Sequence, residues 1–282
     1  MTDQQIQRQL EILEKQPLPK KRIWEVDFVR GLLILLVTFD HFMFDCAFLF
    51  NFKGEFGIAL KTFAKQYYLG YNWLGDVRHV IQYSCIMLFV FIAGLSCALS
   101  KSNFKRGAKM AGFAFLFTFA TYSLDAFGFS GMTISFNVIH VIALCVLLWA
   151  LIDFVLSKLN QNGKNIIYCC LVTLAVAILV VGYLYLNQPI KEPLTHFQSI
   201  FVENNTLPAN STGDYLVLFP AMGWFLIGAM CSKLLYKEKC TLFGAINEKY
   251  FAPITFCGKY CLFIYVGAQI AFVAIGALFG WL

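Results

Sequence analysis

Charge is what this chain has least of. Asp, Glu, Lys and Arg make up 13% of its 282 residues, about half the share of an ordinary soluble domain. That rules out a surface solvated by water on all sides. With 59% hydrophobic residues and 30 Phe, the chain falls among polytopic membrane proteins. A cleavable signal peptide is also missing, because residues 1–22 are polar and hold no apolar core before a small-residue cleavage site. Their Ile6, Leu10 and Leu13 allow a short amphipathic helix, read as cytosolic or interfacial. The ten cysteines lack the pattern of a disulfide framework. Cys85, Cys97, Cys145, Cys169 and Cys170 lie inside apolar runs, where they act as small filler. Cys257 and Cys261 have helical spacing, but no second Cys or His pair joins them, so no metal is expected. Neither a repeat nor a low-complexity tract interrupts the chain. The simplest organisation is one membrane domain, residues 23–282, after a cytosolic segment, residues 1–22.

What is present is a series of apolar runs of about 20 residues, the length that crosses a bilayer core. They lie near 29–50, 79–100, 107–127, 132–156, 166–187, 214–236 and 254–280. The fold class is therefore all-α, a polytopic membrane helix bundle with about seven or more spans. The stretch Gly128–Met132 fits a tight turn between antiparallel helices. With the N-terminus in the cytosol, only Lys53, Lys61, Lys65, Arg78 and Lys191 of the 22 basic residues fall outside. That distribution obeys the positive-inside rule, and it accounts for the basic balance without nucleic acid. Two outside loops are long, 51–78 and 188–213, and the second carries sequons at Asn204 and Asn210.

The first span is the anomaly. VDFVRGLLILLVTFDHFMFDC carries Asp27, Arg30, Asp40, His41 and Asp45, although a charge in hydrocarbon costs several kcal/mol and needs partners. At 100° per residue, Arg30 and His41 are about 20° out of phase, and Asp27 and Asp45 flank His41 by about 40° on either side. The four share one face, opposite Leu32, Leu33, Leu36 and Val37, while Asp40 sits off it. Arg30 and His41 are separated by roughly 16 Å of rise. Polar groups that merely pair across helices would explain one pair. A line of four points to a water-accessible cavity or a substrate path. His41 is the natural general base, its ordinary pKa being nearest neutrality. Asp45, one turn on, could fix its tautomer, and Asp40 is a second candidate partner.

Other polar groups are candidates to converge there. His140 lies within the fourth span, as an interhelical hydrogen bonder or a functional group. Asp125 and Asp214 stand at helix ends, Asp214 with the character of an N-cap. Arg78 and His79 open the second span, where an interfacial place is expected.

These residues resemble a known family. R-x-x-E-V-D-F-V-R-G-L followed by D-H-F-M-F-D looks like the start of bacterial membrane proteins related to the catalytic domain of heparan-α-glucosaminide N-acetyltransferase. Their Asp-x-x-Arg-Gly motif, later His and aromatic–Asp pair fall here on Asp27, Arg30, Gly31, His41 and Phe44–Asp45. The likeness continues in FVFIAGLSCALSKSNFKRG (89–107), in the I-x-F-x-x-x-H segment ending at His140, in DYLVLFPAMGWFLIGAM (214–230) and in FCGKYCLFIYVGAQ (256–269). The chain departs from its relatives in two places. Gly258-Lys259-Tyr260-Cys261-Leu262 stands where they often have Gly-Arg-His-Ser-Leu, and Ala268 precedes Gln269 where they often have His.

The resemblance implies a plasma-membrane acyltransferase. A cytosolic acetyl-CoA or other acyl-CoA would be the donor, and an outside-facing glycan or amino sugar the acceptor. His41, Asp45, Asp27 and Arg30 would be catalytic. Lys101, Lys105, Arg106, Asp40, His140 and Asp214 would bind substrate or cofactor. The same cations are also what the positive-inside rule alone would place there. Direct transfer through a ternary complex and an acyl-histidine intermediate both remain open. The competing class is a proton-coupled small-molecule transporter, which would also use membrane Asp and His. Neither inverted repeats nor paired broken spans are visible for it.

Overall fold

A computed structural model describes residues 23–70, 73–127, 133–186, 200–201, 215–236, 240–243 and 246–282. The amphipathic segment around Ile6, Leu10 and Leu13, the turn at Gly128–Met132, Asp214 and the two sequons lie outside the described residues. The described chain is helical and contains no strand. We number its helices α1 (Trp24–Phe44), α2 (Glu55–Leu69), α3 (Trp73–Leu95), α4 (Asn103–Ala126), α5 (Val138–Ser157), α6 (Gln161–Leu186), α7 (Leu218–Leu235), α8 (Ala252–Lys259) and α9 (Cys261–Leu278). A π-helical turn, Asp45–Leu49, prolongs α1, and a 3₁₀ turn, Glu248–Phe251, leads into α8.

Six segments among the described residues are long and apolar enough to cross a membrane: α1 with its π turn, and most or all of α3, α5, α6, α7 and α9. The chain is a multi-pass membrane protein. The expected third span, 107–127, is present as α4, whose 24 residues make about 36 Å. It falls short in apolarity, not length: Lys105, Arg106 and Lys109 occupy its first two turns, and Thr118, Thr121 and Ser123 its body. It still runs antiparallel beside α5, with Gly107 against Leu147 at one end and Thr118 hydrogen-bonded to the Ile134 carbonyl near the other. The expected last span, 254–280, is broken at Tyr260 (φ −112°, ψ 24°) into α8 and α9.

Two helix crossings set the architecture. At the first, a Cβ on Gly94 of α3 would run into the Phe225 carbonyl of α7, and one on Gly228 into the Phe91 carbonyl. At the second, a Cβ on Gly31 of α1 would strike the Ile254 carbonyl of α8, and one on Gly258 the Asp27 carbonyl. In membranes small residues drive such close approach, since lipid provides no hydrophobic force between helices. Gly31, the last member of the Asp-x-x-Arg-Gly motif, thus lets α8 lie against the motif's own backbone.

The first crossing sits in a dry core. Val90 of α3, Val141, Val146 and Trp149 of α5, Ala175 of α6 and Phe225 of α7 are fully or almost fully buried there. The second crossing leads to the polar half of the molecule. There α1 is flanked by α2, α8 and α9, and α9 is peripheral: 6% of its apolar window is buried, against 50% for α7.

Candidate functional site

The α1 sequence aims its polar face at α8 and α9. Asp27 is buried, its carbonyl beneath Gly258. Arg30 reaches back one turn to the Asp27 carboxylate at 3.4 Å and across to the Ser96 hydroxyl just beyond α3. His41 is half-buried, its ring edge-to-face with Tyr265 of α9 at 5.5 Å. Asp45 is 1% exposed, and both its oxygens accept from the Gln269 amide of α9, at 3.1 and 3.0 Å. Asp27 thus backs onto α8, His41 and Asp45 meet α9, and Arg30 ties Asp27 to the end of α3, with Asp45 opening the π turn. An inserted π turn widens a helix and recurs at functional sites.

Asp40, off that face, turns the other way. The Arg78 guanidinium grips both its oxygens at 2.9 Å, and the Tyr67 and Tyr68 hydroxyls donate to them at 3.1 and 3.0 Å. Arg78 also lies 3.7 Å from the Tyr68 ring centroid. So Asp40 has Arg78 as its partner, and the Arg78 side chain is buried (5% exposed) against α1. This fork, a charge-assisted bidentate pair, fastens α2 and α3 to the C-terminal half of α1. Burial, and then the Asp40 charge and hydrogen bond, push the Tyr67 phenol up to about 12.

His140 occupies the first turn of α5. Its Nδ1 takes part in a capping box with Asn137, and its Nε2 lies 3.0 Å from the Thr118 hydroxyl of α4. Thr118 gives its one proton to the Ile134 carbonyl, so Nε2–H donates to Thr118 and Nδ1 accepts the Asn137 N–H. His140 is thus built into the α4–α5 seam. A separate aromatic line, Phe113–Phe117–Tyr265, ends at His41 and joins α4 to α9.

The end of α3 collects the basic residues. Arg106 donates to the Ala93 carbonyl at 3.1 Å and approaches the Cys97 sulfur at 3.9 Å. Arg30 arrives beside it at Ser96. Two guanidinium groups therefore face the negative end of one helix. Burial pushes the Cys97 thiol up to about 11. Lys101 and Lys105 are exposed, and Ser102 caps α4 between them. Nearby, Lys233 bonds the Tyr168 hydroxyl at 2.7 Å and Asp153 at 3.4 Å, and Asn103 also holds Asp153. Among the described residues no His, Cys, Asp and Glu cluster could hold a metal ion.

Sequence reasoning missed Ser96, Arg78, Tyr265 and Gln269. The last two carried a signal: they are four residues apart on one apolar helix, matching the spacing of His41 and Asp45. Comparison with curated proteins and with solved structures finds no match. The family model for the heparan-alpha-glucosaminide N-acetyltransferase catalytic domain matches residues 22–270, from just before α1 into α9. That interval holds every residue described above, and the chain belongs to this family of membrane acetyltransferases.

Proposed function

We propose that this protein moves an acetyl or other acyl group from cytosolic acyl-CoA to a glycan or amino-sugar acceptor on the outer side of the plasma membrane, with its N-terminus in the cytosol. The observation that carries the reading is a half-buried His41 one helical turn from a fully buried Asp45 on a transmembrane helix. A carboxylate 1% exposed cannot touch substrate itself, so its influence passes through the imidazole one turn away.

In this mechanism the acceptor's hydroxyl or amine attacks the thioester carbonyl while His41 takes its proton. The carbon–sulfur bond breaks, and the departing CoA thiolate receives the proton from the imidazolium. Asp45 holds the ring and stabilises its transient positive charge. Arg30, tied to Asp27 and Ser96, stands about 16 Å of helix rise below His41, a fitting place to hold the donor's phosphates. Lys101 and Lys105 extend the positive surface at that end as point charges, while Arg106 is committed to the α3 carboxyl end.

The test uses washed membranes carrying the full chain, incubated with [14C]acetyl-CoA, with label followed into membrane glycan. His41→Ala should remove transfer while acetyl-CoA still raises the melting temperature of the purified protein. Undiminished labelling by that variant would refute His41 as the base. Proton-driven solute flux in proteoliposomes, with no acetyl-CoA stabilisation, would move the protein to the transporter class.

A further inference from the structure

The neutral partner given to Asp45 is the informative feature of the site. Asp40, part-buried on the same helix, is neutralised by a guanidinium. Among the described residues Asp45 receives an amide: the single nitrogen of Gln269 straddles both carboxylate oxygens, and His41 stands one turn back along α1. A neutral donor fixes the plane of a carboxylate without cancelling its charge. An arginine at 269 would hold the group equally well, but would leave no negative charge to meet an imidazolium.

The register of the two helices carries this further. His41 and Asp45 are one turn apart on α1, and Tyr265 and Gln269 one turn apart on α9, so they meet as two rungs. Tyr265 covers the imidazole edge-to-face (72° between planes) while Gln269 holds the carboxylate one turn beyond it. Helix α9 is otherwise a loosely covered element at the margin of the bundle.

We infer that Gln269 is a positioning residue for the acyl-transfer base: it orients Asp45, with charge intact, toward His41. The inference rests on the proposed role of His41. The step it serves creates no new bond at Gln269. The acceptor's proton passes to His41 and then to the CoA sulfur, and Gln269 keeps both its N–H bonds throughout.

Gln269→Leu removes the donor at similar volume, and Gln269→Glu keeps shape and polarity while placing a second acceptor against Asp45. Both should lower kcat for [14C]acetyl transfer about 10- to 100-fold, the usual cost of losing an outer-shell partner. KM for acetyl-CoA should stay within about twofold, since the donor site lies at the other end of α1. Combined with Asp45→Asn, Gln269→Leu should add no further loss, because a residue acting through Asp45 has nothing left to orient. Losses that multiply in the double variant, an unchanged kcat, a shift confined to KM, or failure of both variants to fold would each overturn the inference. The last outcome would make Gln269 a clamp for α9. Undiminished transfer by His41→Ala sinks the base assignment itself. Abolished transfer in that variant beside a normal Gln269→Leu sinks only the role given to Gln269.

Discussion

Asp40 and Asp45 are five residues apart on one helix and have opposite surroundings. Asp40 faces α2 and α3, where an arginine and two tyrosines satisfy it completely. Asp45 faces α9, where one amide holds both its oxygens, with His41 one turn back on its own helix. The first arrangement minimises the energy of a buried charge. The second leaves part of that charge to act on something else. Within one membrane helix, then, the seam toward α3 is built for cohesion and the seam toward α9 for chemistry.

The sharpest way to break this contrast is to remove one partner from each side. Arg78→Ala strands the Asp40 carboxylate in a largely dry seam and should cost about 3–5 kcal/mol of stability, the usual penalty for orphaning a buried ion. Asp45→Asn keeps an oxygen for the Gln269 amide, so it should cost less than about 1 kcal/mol while transfer drops steeply. Unfolding in detergent and [14C]acetyl transfer, measured on both variants, check the pair. Equal destabilisation would erase the distinction.

A milder perturbation replaces both members of the fork. In Asp40→Asn/Arg78→Gln no uncompensated charge remains, so the double variant should be more stable than Arg78→Ala by about 1–3 kcal/mol. Simple additivity of the two single changes would mean that the fork is not a coupled unit.

His41 and His140 repeat the contrast on a smaller scale. His140 has both ring nitrogens engaged by Asn137 and Thr118, whereas His41 meets an aromatic edge and lies half-buried. His140→Ala should therefore lower stability by about 1–2 kcal/mol, through the lost cap and interhelical bond, and leave transfer per folded molecule intact. A loss of kcat with unchanged stability would move His140 into the reaction.

How much of this was legible beforehand follows from the range of each interaction. The face shared by Asp27, Arg30, His41 and Asp45 is a property of helical period, so a wheel finds it. The partners are not local: Arg78 is 38 positions from Asp40, and Gln269 is 224 from Asp45. Periodicity carries no information about which face of which helix arrives opposite. The break at Tyr260 escaped for a related reason. Apart from Lys259 the residues around it are largely apolar, and α8 is set by Gly258 passing over the Asp27 carbonyl, a contact with a residue from the far end of the chain. At α4 a helix of spanning length carries three cations and several hydroxyls, which dilute the apolar signal that marks the other spans.

The smallest expected effect sharpens the cohesive side of the comparison through pH. Tyr67 donates its phenolic proton to Asp40, and burial, followed by the nearby carboxylate, raises its pKa from the ordinary 10 to about 12. The folded state thus holds this proton more tightly than the unfolded chain does. The resulting stabilisation is complete below pH 10, where both states are protonated. As pH climbs from 10 toward 12 the unfolded phenol ionises first, and the advantage drains away. Tyr67→Phe lacks the proton altogether. Against wild type it should be less stable by about 1 kcal/mol at neutral pH, with the gap constant up to pH 10 and narrowing above it. Unfolding curves taken across that alkaline window decide the matter. A gap that persists undiminished to pH 12 would mean that the phenol packs against Asp40 without giving it a hydrogen bond.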